Sequence, residues 1–171
     1  KEMYKTFDVA LPHVISNSVS SRQAEYLAGR LAAKRSLKAH GITDFDLFSG
    51  ALRQPLWPLN FTGSISHTNQ LAAAAVLKEK DAKGVGIDIE SFVSDDSLAA
   101  LIETIVTPNE RIVLLENEKK LTERELMTLI FSAKESFFKA AFPQVNQYFG
   151  FEAVTVQSVD HAESKLCLRL E

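Results

Sequence analysis

Between Ser20 and Gly41 the chain reads SSRQAEYLAGRLAAKRSLKAHG, and Tyr26, Leu27, Leu31 and Leu37 recur at helical spacings. That pattern predicts a helix capped by Ser20 or Ser21 and ended by Gly41. Residues 42–60 hold Gly50, Pro55 and Pro58 and read as loop and turn. The period then changes. TGSIS (62–66) and LAAAAVLK (71–78) read as short strands flanking HTNQ, and KGVGIDIE (83–90) reads as a third strand after a turn. SDDSLAALIETI (94–105) reads as a capped helix. TPNERIVLLENE (107–118) reads as another, with Thr107 as cap, Pro108 first and Glu110 third. A long helix is predicted from Thr122 to Phe142. It starts with a capping box in TERE, carries an apolar stripe through Leu126, Ile130, Ala133, Phe137 and Ala140, and is stopped by Pro143. GFEAVTVQ and KLCLRLE read as closing strands. Interleaved helices and strands with short hairpin turns favour a mixed α/β or α+β fold over a sandwich or a bundle.

The 171 residues suffice for one sizeable domain or two small, closely packed ones. Composition is that of an ordinary globular chain, and a net charge of −3 supplies no global basic field for nucleic acid. The single cysteine, Cys167, excludes an intramolecular disulfide and fits a reducing cytoplasm. Followed by Leu168, it is expected to be a small buried residue. The first residues, KEMYKTFDVALPHV, show no apolar core of a signal peptide, and the longest apolar run, LAAAAVL, is too short to cross a bilayer.

Candidate chemistry sits in four places. In GVGIDIE, strand alternation puts Asp88 and Glu90 on one face. Two neighbouring acids repel, so they either face water as a solvated strand end or share a divalent cation as half of its site. In FSAKESFFKAAF, Glu135 and Lys139 are four apart on one helix face, with Lys134 beside them in very apolar surroundings. They form either a surface ion pair or a charged group that needs a metal and phosphates as partner. In GSISH, the hydroxyls of Ser64 and Ser66 and the imidazole of His67 would suit a phosphate, although a histidine at a turn is commonly just solvated. Finally, Arg22, Arg30, Lys34 and Arg35 on the first helix, with Arg53 in LRQPLWP, form a basic stripe or a solvated face.

Each signal is weak alone, but their order is specific. GR in a helix, a basic residue before Pro, WP followed by GSISH, then GIDIE, then SAKESFFKA resembles the 4′-phosphopantetheinyl transferases of the Sfp-like group, and within it the enterobactin-type enzymes of siderophore synthesis. The resemblance runs from about Ser21 to Val156, and Phe131 stands where many members have Trp. It implies an α+β fold made of a pseudo-symmetric pair of halves, here 1–92 and 93–171, with the active site between them. It implies transfer of 4′-phosphopantetheine from coenzyme A to a serine of an apo acyl, aryl or peptidyl carrier protein, with release of 3′,5′-ADP. By matched position, Asp88, Glu90 and Glu135 become ligands of Mg²⁺, with Mn²⁺ as the alternative. Glu135 is also the expected base, Lys134 and Lys139 the groups that neutralise phosphate, and Ser66, His67, Arg30 and Arg53 the contacts to coenzyme A. Arg22, Lys34 and Arg35 receive no role. The carrier is expected to dock around residues 92–125. The chain is expected to act as a cytoplasmic monomer with no nucleic acid and no transmembrane segment. Two rivals stand beside this reading. One is another Mg²⁺-dependent phosphotransfer enzyme, disfavoured by the absence of a GxxxxGK[ST] loop; the other is a module that binds coenzyme A or a carrier without turnover.

Overall fold

The structure of the chain is a computed structural model that describes residues 1–117 and 119–171. Glu118, the last residue of the third predicted helix, lies outside the described residues. Two short helices, α1 (Glu2–Thr6) and α2 (His13–Ser16), lead into α3 (Ser20–Ala39). A hairpin follows, β1 (Phe61–His67) and β2 (Ala72–Lys78), then α4 (Asp95–Ile105), α5 (Pro108–Asn117) and α6 (Glu123–Val145). A single 3-10 turn, Phe151–Ala153, precedes the second hairpin, β3 (Val154–Asp160) and β4 (Lys165–Leu170). The mixed helix and strand content agrees with the α+β expectation.

The two hairpins are separate antiparallel sheets. In the first, Phe61 pairs with Lys78 and His67 with Ala72, and α3 packs across it with Gly29 against Ile65. In the second, a bulge falls between Val156 and Ser158, and α5 packs on β3. The larger core joins Val93, Ile105, Val113, Leu126, Met127, Ile130 and Val156, and a smaller one joins Tyr4, Tyr26 and Leu27.

Helix α3 starts without the expected serine cap, since Ser20 and Ser21 lie inside it and Val19 takes the cap position with no side-chain bond. Four further expectations are corrected. KGVGIDIE is not a strand: residues 83–90 pair with no ladder. Instead the hydroxyls of Ser64 and Ser66 on β1 accept the N–H groups of Ile87 and Ile89 at 3.1 Å. Strand side chains stand perpendicular to their sheet, so this segment crosses the face of the hairpin and does not extend its edge. On its other side it presses against α6, where a Cβ on Gly84 or Gly86 would overlap the carbonyl oxygens of Ala140 and Ser136. Second, Pro143 lies inside α6, which continues to Val145 and ends at Asn146 in the left-handed conformation. A proline this near the end removes one bond from the final turn only. Third, Cys167 is exposed, because β4 turns the neighbouring Leu166 and Leu168 toward the core.

The fourth correction concerns Lys134. The buried face of α6 runs through Met127, Ile130 and Lys134, and Lys134 is 1% exposed. Its ammonium donates to Ile105 O at 2.8 Å, Glu110 Oε2 at 2.9 Å and Phe151 O at 3.1 Å. All three donor protons are therefore used inside the protein. Glu110 is fully buried too. Its carboxylate also accepts from Thr107 N in the expected capping arrangement and from Val156 N. One ion pair thus ties α4, α5, α6 and β3 together, and Lys134 is a structural residue of the core.

Removing one partner of such a pair leaves a charge uncompensated. Glu110→Ala is expected to cost about 3–5 kcal/mol in denaturant unfolding, and joint replacement with Lys134→Met should lose less than the sum of the two single changes. At the start of α6 the expected capping box is present: Thr122 N and Oγ1 both donate to Glu125. The Thr122 backbone N–H first, and its hydroxyl second, hold the Glu125 carboxyl below its ordinary 4.5. The depressed value stabilises the fold above pH 4.5, and this contribution is lost as pH falls through the lower folded value. Glu125→Gln should therefore flatten the acid side of a melting temperature–pH curve below about pH 4.5 and leave the relative midpoints constant above it.

Candidate active site

The segment Gly84–Glu90 is clamped between β1 and α6, and its acids meet groups from both. Asp88 Oδ1 accepts from Lys139 Nζ at 2.5 Å and from Ser66 Oγ at 2.9 Å. The Asp88 side chain is only 2% exposed, and its second oxygen, Oδ2, is buried without any hydrogen-bond partner. Glu90 and the half-buried Glu135 complete the acidic group. Burial raises the pKa of both. The Asp88 charge raises each further, Glu135 adds to the effect on Glu90, and Lys139 opposes it in both. Among the described residues no three His, Cys, Asp or Glu side chains are already drawn into a set that could hold a metal ion. The cation balancing these acids here is the ammonium of Lys139.

Lys139 also lines a cavity of about 880 Å³, within the range of small-molecule sites. Its walls come from α3, the 48–57 loop, β1 and the last turns of α6. Arg22, Arg30, Arg53 and Lys139 give the lining a positive character, and Glu25 is its one acid among the described residues. Arg30 is 8% exposed, lies 4.3 Å over the Tyr26 ring, and donates to Ser49 Oγ at 2.7 Å, while its Nε has no partner. Arg53 is exposed in a tight turn with φ of +66°, where Arg53 N donates to Gly50 O at 3.0 Å. Trp57 lies so close on Gly63 that a Cβ there would overlap the indole. On the far wall Tyr148 stacks on Phe138 and donates to Leu52 O, linking the segment after α6 to the 48–57 loop.

His67 sits at the junction, with Nε2 3.2 Å from Arg22 Nη1 and Nδ1 3.8 Å from Glu25 Oε2. Burial lowers its pKa; Glu25 opposes this, and Arg22 and Lys139 reinforce it. The imidazole is therefore set among charges of both signs at the cavity wall.

The structure brings together Asp88, Glu90, Glu135 and Lys139, and it places Arg30, Arg53 and His67 around the adjoining cavity. It does not bring Lys134 there, as described above. Ser66 lies beside Asp88 but is 4% exposed and is not part of the cavity wall. Of the basic residues without an assigned role, Arg22 lines the cavity, whereas Lys34 pairs with Asp8. Sequence reasoning missed Glu25, Tyr26 and Ser49, and also Tyr148. Glu25 had a legible signal, since it falls one helical turn after Arg22. Ser49 and Tyr148 reach the cavity only through tertiary contacts.

Comparison with known proteins agrees with this geometry. Residues 11–77 match the model of the 4′-phosphopantetheinyl transferase N-terminal domain, and residues 84–170 match that of the 4′-phosphopantetheinyl transferase superfamily. The chain is 38% identical over 141 residues to enterobactin synthase component D of Escherichia coli O157:H7, covering 81% of this chain and 65% of that protein. It is 35% identical over 160 residues to enterobactin synthase component D of Salmonella typhi, covering 92% and 65%. It is 28% identical over 139 residues to the 4′-phosphopantetheinyl transferase PptT of Mycobacterium tuberculosis, covering 81% and 60%. The chain thus spans slightly less than two thirds of the length of these relatives. The first match covers the arginines of the cavity and β1, the second covers the acids, α6 and the far wall of the cavity, and together they show that the chain belongs to the 4′-phosphopantetheinyl transferase superfamily.

Proposed function

We propose that this chain transfers the 4′-phosphopantetheine group of coenzyme A to a serine hydroxyl of an apo acyl, aryl or peptidyl carrier protein, in siderophore assembly. The observation that carries the reading is the junction at Lys139, whose ammonium touches the acid cluster and also lines the basic cavity. A pyrophosphate held there would lie between both groups. In the reaction the serine Oγ–phosphorus bond forms, the bond from that phosphorus to the oxygen of 3′,5′-ADP breaks, and the hydroxyl proton passes to a base. Glu135 is the proposed base, acting on the serine hydroxyl directly or through a water.

Asp88, Glu90 and Glu135 would hold Mg²⁺. The fit rests on the bare, buried Oδ2 of Asp88 and on an all-oxygen carboxylate donor set, which suits a hard divalent ion or Mn²⁺. When bound, such an ion neutralises the charge that develops on the phosphate oxygens. Lys139 would neutralise phosphate from the cavity side, His67 would contact the same phosphates, and Arg30 and Arg53 would grip the nucleotide end, including its 3′-phosphate. In this reading residues 1–92 supply the arginines of the coenzyme A pocket and two acids, and 93–171 supply its far wall with Glu135 and Lys139. Carrier docking is assigned to residues 92–125, where Phe92, Ile112 and Leu115 are exposed; Glu118 within that span lies outside the described residues. No helix among the described residues is long and apolar enough to cross a membrane. The reading assigns the chain to the cytoplasm, as a monomer.

The direct test is intact-mass spectrometry of an apo carrier protein incubated with the chain, coenzyme A and Mg²⁺. A gain of one phosphopantetheine, abolished by chelator, is expected; coenzyme A binding with no gain on any of several carriers would overturn transfer. Asp88→Asn keeps the size of the side chain and removes its charge, and should lower transfer at least about a hundredfold. Near-full activity would remove Asp88 from the metal assignment. Arg53→Ala should raise KM for coenzyme A far more than it lowers kcat, and the penalty should shrink with dephospho-coenzyme A. Equal losses with both substrates would mean that Arg53 does not read the 3′-phosphate.

A further inference from the structure

A serine hydroxyl has one proton to donate and two lone pairs to accept with. In Ser66 all three are engaged. The hydroxyl donates to Asp88 Oδ1 at 2.9 Å and accepts from Ile89 N at 3.1 Å and Lys139 Nζ at 3.3 Å. The residue is 4% exposed. Nothing remains to bind a substrate phosphate, so the role in coenzyme A contact that its sequence position suggests does not fit its surroundings.

We infer that Ser66 is a positioning residue for the divalent cation. It fixes the rotation of the Asp88 carboxylate so that Oδ1 is engaged within the protein and Oδ2 alone is presented to the metal. The inference rests on the reading of Asp88 as a metal ligand. Three features support it. Ser66 and Lys139 converge on one oxygen of Asp88, and the other oxygen is buried without a partner. Ser66 binds the peptide N–H of the residue after Asp88 as well as its carboxylate, so backbone and side chain are fixed by one atom. Ser64, two residues earlier on the same face of β1, anchors Ile87 in the same way but has no bond to Asp88. Ser64 anchors the segment, whereas Ser66 anchors the segment and aims the ligand. Groups that orient metal ligands in this way govern affinity for the ion, and their loss weakens binding about 10–100-fold.

The test measures binding, not turnover. Mn²⁺ is titrated into the protein saturated with coenzyme A, with no carrier protein present, and the free ion is followed by electron paramagnetic resonance. Ser66→Ala is expected to weaken Mn²⁺ binding about 10–100-fold. Coenzyme A affinity measured in chelator should stay unchanged. Ser64→Ala should bind Mn²⁺ as the unsubstituted protein does, and Ser66→Thr, which keeps the hydroxyl, should restore most of the loss. Should Ser66→Ala not fold, Ser66→Cys, a weak donor of similar size, takes its place in each measurement. The inference is overturned if Ser66→Ala binds Mn²⁺ normally, if Ser64→Ala loses as much, or if Ser66→Ala loses coenzyme A affinity in chelator. If the unsubstituted protein binds no Mn²⁺ at all, the metal reading of Asp88 fails first, and the role of Ser66 falls with it.

Discussion

The spacing between the first hairpin and α6 is set by two glycines. Gly84 and Gly86 lie against the carbonyls of Ala140 and Ser136, where no side chain fits, and this close approach lets one extended segment pass between a sheet face and a helix. Everything at the site follows from that contact. It puts Asp88 within reach of Lys139 on one side and Ser66 on the other. A wider gap would leave the acids solvated, with ordinary pKa values and no fixed geometry. The segment gives up ladder hydrogen bonds for this placement, and the serine hydroxyls of β1 replace them at Ile87 and Ile89.

Lys134 and Lys139 show how one helix divides its charges. Five residues advance an α-helix by about one and two fifths turns, so these lysines face different directions. Lys134 is sealed in the core with Glu110, whereas the Lys139 side chain keeps 26% of its surface and bridges the acids and the cavity. The first ties the second half of the chain to α6, and the second ties α6 to the Gly84–Glu90 segment. The helix is thus held rigidly on both faces, which suits groups that must keep their geometry while charge moves between them.

Much of this was legible in the sequence, for physical reasons. Helices α3 and α6 announced themselves by periodicity, and the caps at Thr107 and Thr122 by spacing. The hairpin after residue 60 was marked by its change of period, and the paired acids were conspicuous because nothing apolar explains them. What escaped depended on contacts distant in sequence. The burial of Lys134 needs Glu110, which a sequence reading assigns to a helix cap, and the cap and the ion pair use the same carboxylate. Ser66 looked like an open hydroxyl because its partners lie 22 or more residues away. The alternation in KGVGIDIE was real, but alternation describes an extended chain and does not say whether a neighbouring strand or a row of hydroxyls receives its amides.

The division into two separate hairpins has a further consequence, for behaviour at high concentration. Among the described residues every strand is bonded to one partner strand only, so each keeps an edge without a strand neighbour, although Glu110 takes the Val156 amide of β3 and His40 meets the Val76 carbonyl of β2. β4 meets this hazard with Lys165 and Arg169, whose charges discourage stacking of copies. β2 carries no charge before Lys78, yet its first four residues are all alanine, a poor strand former whose small side chains give an incoming strand little to grip. The alanine run therefore guards against intermolecular sheet growth, and exchanging it for valine or isoleucine would strengthen the hairpin and the tendency to aggregate together.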